Sequence, residues 1–256
     1  MKFQYVRGFN LCDAWKQLLK LCLEEGYRRP VYRGAEKWAY RLELDMVAVE
    51  VERPDHEWWI WDVPEGVPPP ATHESILEYY ARYIRTADIM AEVQVGQEGW
   101  DYIYGHRIGA PILKAIEEQP LDEPISPIEA VMRILAETPE SNRGVLEIGR
   151  PEDIELRHFP CWRYAQFKVR YGKLHGFVVF RSWDLYAGMP VNLGGITLLM
   201  IEMTDYIRKH NPEMKDLAVG KLFAFSMGLH LYERQVKFAE MIVNPPGKSR
   251  RFLATS

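Results

Sequence analysis

Residues 159–192 read FPCWRYAQFKVRYGKLHGFVVFRSWDLYAGMPVN, and this stretch decides the fold. Runs 164–171 and 177–180 are rich in aromatic and β-branched residues, as strands are. With Gly172 between them, the segment reads as strand, turn, strand. Cys161 precedes the first strand and Arg181 follows the second, so a chain folded back on itself carries a thiol and a guanidinium toward each other.

Downstream, 193–207 reads as a buried helix, 218–225 as a strand and 233–242 as a last helix. Upstream, 10–26 predicts a helix: Leu11, Trp15, Leu18, Leu19 and Cys22 recur at helical spacing, Asn10 caps and Gly26 stops the run. Residues 38–52 hold two alternating runs, Leu42/Leu44/Met46 and Val47/Val49/Val51, which read as strand with a bulge where the phase shifts. A proline-rich connection over 63–72 reads as a surface loop, and 74–84 as a helix. Ser126-Pro127-Ile128-Glu129 is a capping box with proline at the first helical position, opening a helix to about Glu137, and 145–148 is strand-like. Helices and strands intermingle without a βαβ rhythm, which predicts an α+β fold with a mixed sheet. We expect one domain over 1–243 and a mobile tail over 244–256.

The 256 residues are 47% hydrophobic and 27% charged, enough to bury a sizeable core. A net charge of −4 offers no basic excess for nucleic acid, although a few convergent arginines would still hold a small phosphate. Three cysteines are too few for a disulfide framework. The N-terminus lacks the apolar run of a signal peptide, and no stretch approaches the ~18 apolar residues of a membrane span. The expected setting is cytoplasmic and reduced.

No G-x-G-x-x-G or G-x-S-x-G occurs, and the histidines and cysteines make no pair at metal-ligand spacing. Gly247-Lys248-Ser249 lacks the first glycine of a phosphate loop, whose place Ile242 takes. Taken singly, Cys161 would be a small buried hydrophobe, any one arginine a surface ion pair, and Asn192 a helix cap before Leu193.

Together the residues say more. Pro160, Cys161, Trp162, Gln166, Phe167, Val169, Gly172-Lys173-Leu174, Arg181, Ser182, Asp184, Gly188, Pro190 and Asn192 resemble, in order and spacing, the active-site region of thymidylate synthases. The likeness continues sparsely in His230-Leu231-Tyr232, in 138–143, in Glu24-Glu25-Gly26 with Arg33-Gly34, and in Tyr104-Gly105. It implies a thymidylate synthase-like fold, a large mixed β-sheet flanked by helices, with one sheet face forming a homodimer interface.

By this resemblance Cys161 is the nucleophile, with Cys12 and Cys22 structural. Arg33, Arg143, Arg181 and Ser182 bind the nucleotide phosphate, Arg143 acting in trans on the neighbouring subunit's site. Asn192 pairs with O4 and N3–H of uracil, since a carboxamide offers both an acceptor and a donor. His230 and Tyr232, two apart on one strand face, hold the sugar hydroxyl. Asp184 contacts the pterin ring, Gln166 lies beneath the nucleophile, and Tyr104 is a site tyrosine. The family's catalytic glutamate falls on Glu78 if one residue is deleted.

The chain also departs from the family. Asn142 replaces the first of two consecutive arginines, Phe180 a glutamine, Val191 a phenylalanine, and Gly228 an aspartate two residues before the H-x-Y. An insertion lies near 209–216, and the C-terminal segment that closes over the folate has no clear counterpart. The pattern is that of a divergent, short, archaeal-type branch.

The implied activity is reductive methylation of dUMP at C5, giving dTMP through a Cys161–C6 adduct. The co-substrate is 5,10-methylenetetrahydrofolate or methylenetetrahydromethanopterin, with no metal, nucleic acid or membrane required. Two alternatives remain: a hydroxymethylase of the same fold acting on dUMP, dCMP or CMP, and a nucleotide-binding homologue without catalysis.

Overall fold

The computed structural model describes residues 1–33, 36–60, 62–86, 103–109, 112–114, 120–156 and 158–245; for 33, 36–38, 112–114 and 120–124 it describes the backbone alone. The Arg33 side chain and all of the tail beyond Pro245 lie outside the described residues.

The first half runs β1 (Phe3–Gly8), α1 (Leu11–Glu25), β2 (Tyr27–Arg33), β3 (Glu36–Leu44), β4 (Met46–Val51), α2 (His73–Tyr79), α3 (Gly105–Ile108), β5 (Ile112–Lys114) and β6 (Pro120–Ile125). The second runs α4 (Pro127–Glu137), β7 (Val145–Glu147), β8 (Trp162–Arg170), β9 (Lys173–Phe180), β10 (Trp183–Asp184), α5 (Gly188–His210), β11 (Ala218–Ser226), β12 (Leu229–Tyr232) and α6 (Glu233–Val243). The fold is α+β, as expected. A six-stranded mixed sheet has the order β1-β4-β11-β9-β8-β7, and a four-stranded sheet has the order β10-β12-β3-β2.

The β8–β9 hairpin forms as its sequence predicts. Arg170 pairs with Lys173, leaving a two-residue loop in which Tyr171 (φ 53°) and Gly172 (φ 69°) are both left-handed. That primed turn matches the right-handed twist of the strands it joins.

The helix at 11–25 also forms, with the Asn10 side chain accepting from Asp13 N at 3.0 Å and Leu11, Trp15, Leu18, Leu19 and Cys22 all buried. The capping box closes α4 in the same way, with Ser126 and Glu129 bonding reciprocally.

One expectation is corrected. Residues 38–52 are not a single bulged strand: a break at Asp45, just before the expected phase shift, separates β3 from β4, and each joins a different sheet. A change of phase inverts which face is apolar, so the chain meets the inversion by changing sheets. β1 is a strand that the sequence reading did not find; it pairs in parallel with β4 at the edge of the large sheet. Beyond α2 the helix widens through a π-type turn over Tyr80–Ile84.

α5 is the central helix, and it begins at Gly188, five residues before the expected Leu193. Asn192 is therefore inside the helix rather than its cap, and the cap position is Ala187. Two glycines let α2 approach it: a Cβ on Gly194 would lie 2.8 Å from the Trp58 carbonyl and 2.7 Å from Ile76 Cδ1. No helix among the described residues is long and apolar enough to cross a membrane.

In an open helix, Gly→Ala stabilises by about 1 kcal/mol. At Gly194 the sign should reverse, because the backbone carbonyl of Trp58 cannot swing aside. We expect Gly194→Ala to lower the unfolding free energy by about 1–3 kcal/mol in urea titrations.

Candidate active site

The hairpin register places Trp162 opposite Phe180, so Cys161 and Arg181 are neighbours across the strand ends. Arg181 N donates to the Cys161 carbonyl at 2.9 Å. Its guanidinium donates from Nη2 to Phe159 O at 2.7 Å and from Nε to Pro160 O at 3.2 Å, while lying 3.8 Å above the Phe159 ring. The arginine thus grips the turn that carries Cys161, with further N–H groups on the same fork. Cys161 is partly exposed, as is Ser182 beyond Arg181. Cys22 has the opposite environment: burial pushes its thiol up to about 12, leaving it no nucleophile at neutral pH.

Behind Cys161 stands a buried aromatic column. Tyr104 meets Trp162 edge-on at 5.3 Å, Trp162 lies 6.5 Å from Phe180, and Phe180 stacks on Trp183 at 4.1 Å and 7°. Phe180, the departure from the expected glutamine, fills the middle of this column. Tyr104 also uses its hydroxyl, which accepts from Trp162 N at 3.3 Å, one residue from the thiol.

The column ends on Asn192. Trp183 Nε1 donates to Asn192 Oδ1 at 3.0 Å, and Asn192 Nδ2 donates to the Tyr79 hydroxyl at 2.7 Å. An indole N–H can only donate, so the amide orientation is set. Among the described residues, one oxygen lone pair and one N–H of Asn192 remain for a ligand. Tyr79 and Trp183 were not among the residues singled out from the sequence. The available signal for Tyr79 was helical spacing from buried Ile76, which turns it inward. Its neighbour Glu78 faces solvent and pairs with Arg82 at 2.9 Å.

The small sheet supplies the other wall. β10 runs parallel to β12 with Asp184 opposite His230. His230 is 3% exposed, and its Nδ1 lies 3.0 Å from the Gly228 carbonyl. A carbonyl only accepts, so Nδ1 carries the hydrogen and Nε2 presents a lone pair. Among the described residues that buried nitrogen has no hydrogen-bond partner. Burial holds the imidazole below its ordinary pKa, keeping it neutral. Tyr232 meets His230 edge-on at 4.9 Å. Burial, then the Asp184 carboxylate, pushes its phenol up, and Cys161 is among the groups close enough to act on it.

Asp184 shapes the entry to α5. Its Oδ1 accepts from Tyr186 N at 3.0 Å and Ala187 N at 3.4 Å, and Gln235 Nε2 reaches both carboxylate oxygens at 3.2 Å. Gln166 points from β8 to the Asn142 carbonyl at 2.9 Å and so braces the turn that bears Arg143. Arg143 is exposed there, before the edge strand β7. The structure thus brings Cys161, Tyr104, Arg181, Asn192, Asp184, His230 and Tyr232 to one junction between the sheets. Glu78, Gln166 and Arg143 lie on other faces.

Three comparisons bear on this junction. A family model described as thymidylate synthase matches residues 52–250. The chain belongs to the thymidylate synthase family. A Methanosarcina acetivorans protein named "Putative thymidylate synthase" is 26% identical over 239 residues, covering 93% of this chain and 94% of the relative. A Methanothermobacter thermautotrophicus protein of the same name is 25% identical over 246 residues, covering 91% and 96%. The thymidylate synthase of Varicella-zoster virus is 32% identical over 113 residues, 44% of this chain and 35% of its own. The fold is that of thermostable thymidylate synthase A from Bacillus subtilis, with a TM-score of 0.63 at 16% identity over 91% of this chain and 84% of that one. Membership carries with it a transferase fold for one-carbon methylation in dTMP biosynthesis and a methylene-folate-type co-substrate.

Below the Cys161 turn, Asp153 is buried between Arg107 (Nη2, 2.6 Å) and Arg163, the latter lying 5.1 Å from the Phe159 ring. Burial would raise its pKa, but bonds from Arg107, Arg150 N and Arg163 outweigh that and hold the carboxyl well below the usual carboxylate range. Its stabilisation is therefore present above the unfolded carboxylate pKa and lost only as pH falls through the lower folded value. We expect Asp153→Asn to cost about 3 kcal/mol at pH 7. The gap to wild type should narrow as pH drops below about 4 in thermal melts.

Proposed function

We propose that the chain is a thymidylate synthase that methylates deoxyuridylate at C5, with Cys161 as nucleophile. The observation that carries this reading is the Asn192 carboxamide, held by Trp183 and Tyr79 with one donor and one acceptor to spare. Those two groups match N3–H and O4 of uracil. Cytosine, with an amino donor and an unprotonated N3, would leave both poorly paired.

The Cys161 thiolate adds to C6, and negative charge moves to O4, where the Asn192 N–H stabilises it. C5 thereby becomes nucleophilic and takes the methylene carbon. The Tyr104 hydroxyl, one residue from the thiol, is the group we place at the C5 proton. Arg181, Ser182 and Arg33 neutralise the phosphate, and His230 Nε2 accepts from the sugar hydroxyl beside Tyr232. The reduced pterin, tetrahydrofolate- or tetrahydromethanopterin-based, would supply the methylene carbon and the hydride that completes the methyl group, while the Cys161 thiolate leaves C6 and restores the pyrimidine double bond. Asp184 suits its ring N–H groups: Oδ1 is taken by the turn, while among the described residues Oδ2 accepts from Gln235 alone and keeps acceptor capacity. A reducing cytoplasm suits a thiolate enzyme, and we take 1–243 as one domain.

The working unit we propose is a homodimer joined through the large sheet's outer face. Alternation directs Phe177 (42% exposed) and Tyr5 (54%) away from the helices, beside the Glu50–Lys221 ion pair, and exposed aromatic residues on an uncovered sheet face suit an interface. Arg143, exposed beside that sheet, would then reach the partner's phosphate site.

Wild type should release tritium from C5-labelled deoxyuridylate with at least one of the two pterins and yield a product heavier by CH2; a gain of CH2O would mean water, not hydride, traps the methylene. Cys161→Ser should bind the nucleotide and release none. If wild type binds nucleotide but releases no tritium with either carrier, the assignment fails. Action in trans has its own test. Cys161→Ser and Arg143→Ala chains, each nearly inactive, should on mixing recover about a quarter of wild-type activity, because half the dimers are mixed and each holds one intact site. No recovery would confine Arg143 to its own subunit.

A further inference from the structure

A row of polar residues crosses the small sheet from edge to edge. Asp184 on β10 lies opposite His230 on β12, His230 opposite Glu43 on β3, and Glu43 opposite Tyr27 on β2. The next row on the same face sets Tyr232 opposite Arg41 and Arg41 opposite Arg29. The buried Glu43 carboxylate is the hub of both rows: it pairs with Arg41, takes Arg29 Nη1 at 2.8 Å, and accepts from the Tyr27 hydroxyl at 3.0 Å. A buried carboxylate is costly to keep unless its partners are in place, and three of them converge here: Tyr27 and Arg29 by hydrogen bonds to Oε1, and Arg41 by its charge beside Oε2, which has no hydrogen-bond partner among the described residues.

Gly228 gives this hub its meaning. By the family resemblance, it stands at the position of an aspartate two residues before the H-x-Y. A Cβ built on Gly228 would find Glu43 Cδ and Oε1 at 3.9 Å. The carboxylate absent just before β12 is thus replaced, at van der Waals distance, by one arriving from β3. The same glycine's carbonyl takes His230 Nδ1, and so directs Nε2, which has no hydrogen-bond partner among the described residues.

We propose that Glu43 is a positioning residue for nucleotide recognition: it replaces the carboxylate missing at Gly228 and, by fixing Arg41 against Tyr232 and flanking His230, sets the pair that holds the sugar hydroxyl. Glu43 itself does not touch the nucleotide. It holds the floor on which His230 and Tyr232 stand, and without it two arginines lose their counter-charge directly beneath them.

This inference rests on the reading of His230 and Tyr232 as sugar-binding groups, and the experiment separates the two. Calorimetry would give the Kd of deoxyuridylate and of its 3′-deoxy analogue for wild type, Glu43→Gln, and Glu43→Gln/Gly228→Asp. Wild type should prefer deoxyuridylate by about tenfold. Glu43→Gln should lose that preference by weakening deoxyuridylate alone, leaving the analogue unchanged. The double variant should regain it: Gly228 does not have a left-handed φ, and nothing lies closer than 3.9 Å to its would-be Cβ.

If Glu43→Gln weakens both ligands equally, or neither, Glu43 is merely structural and the proposal is overturned. Should Glu43→Gln fail to fold, the double variant decides the matter, since one that folds without the preference also overturns the proposal. A wild type with no preference for the 3′-hydroxyl would instead overturn the sugar-binding reading, and Glu43's role with it.

Discussion

The contact on which the site depends is between Arg181 and the turn before β8. The primed Tyr171–Gly172 turn fixes the hairpin register, and the register brings Arg181 to Cys161 across twenty residues of chain. Four groups then lock together: one backbone N–H and two guanidinium bonds on the carbonyls of Phe159, Pro160 and Cys161, and a ring beneath the guanidinium. Charged donors on carbonyls are stronger than neutral ones, so the nucleophile is held by more than its own backbone ladder. A slip of one residue would turn the buried face of both strands outward and separate the pair.

From that contact the rest follows inward. The column from Tyr104 through Trp162, Phe180 and Trp183 carries the position of the hairpin to Asn192, and α2 completes the grip through Tyr79. Asn192 and His230 are each oriented by a partner with one chemical option: the indole can only donate, and the Gly228 carbonyl can only accept. This is preorganisation in which side chains spend little to reach their working pose. Departures from the family pattern have physical counterparts nearby. Phe180 gives up a polar group and gains a stack, while Gly228 lacks a carboxylate and Glu43 stands beside it.

The hairpin, both capped helices and the nucleophile's surroundings were legible in the sequence because their signals are local: alternation, capping residues, and a dense run of matched positions over 159–192. What could not be read depends on tertiary pairing. The switch of sheets at Asp45 looked like a bulge because both produce the same break in alternation. β1 is short and half exposed, and only β4 makes it a strand. α5 begins five residues before the expected Leu193, with Gly188 and Pro190 in its first turn, where proline's missing N–H costs nothing. The resemblance puts the family's glutamate on Glu78, whereas helix phase turns its neighbour Tyr79 inward.

The central claim is that Cys161 forms a bond to the pyrimidine at the site Arg181 organises. Mass spectrometry tests it most directly, after incubation with methylene-carrying pterin and 5-fluorodeoxyuridylate, whose C5 substituent cannot leave as a proton. The peptide containing Cys161 should gain the mass of the nucleotide and the pterin, and Cys161→Ser should gain nothing. No adduct at all, or one on Cys12 or Cys22, would contradict the account.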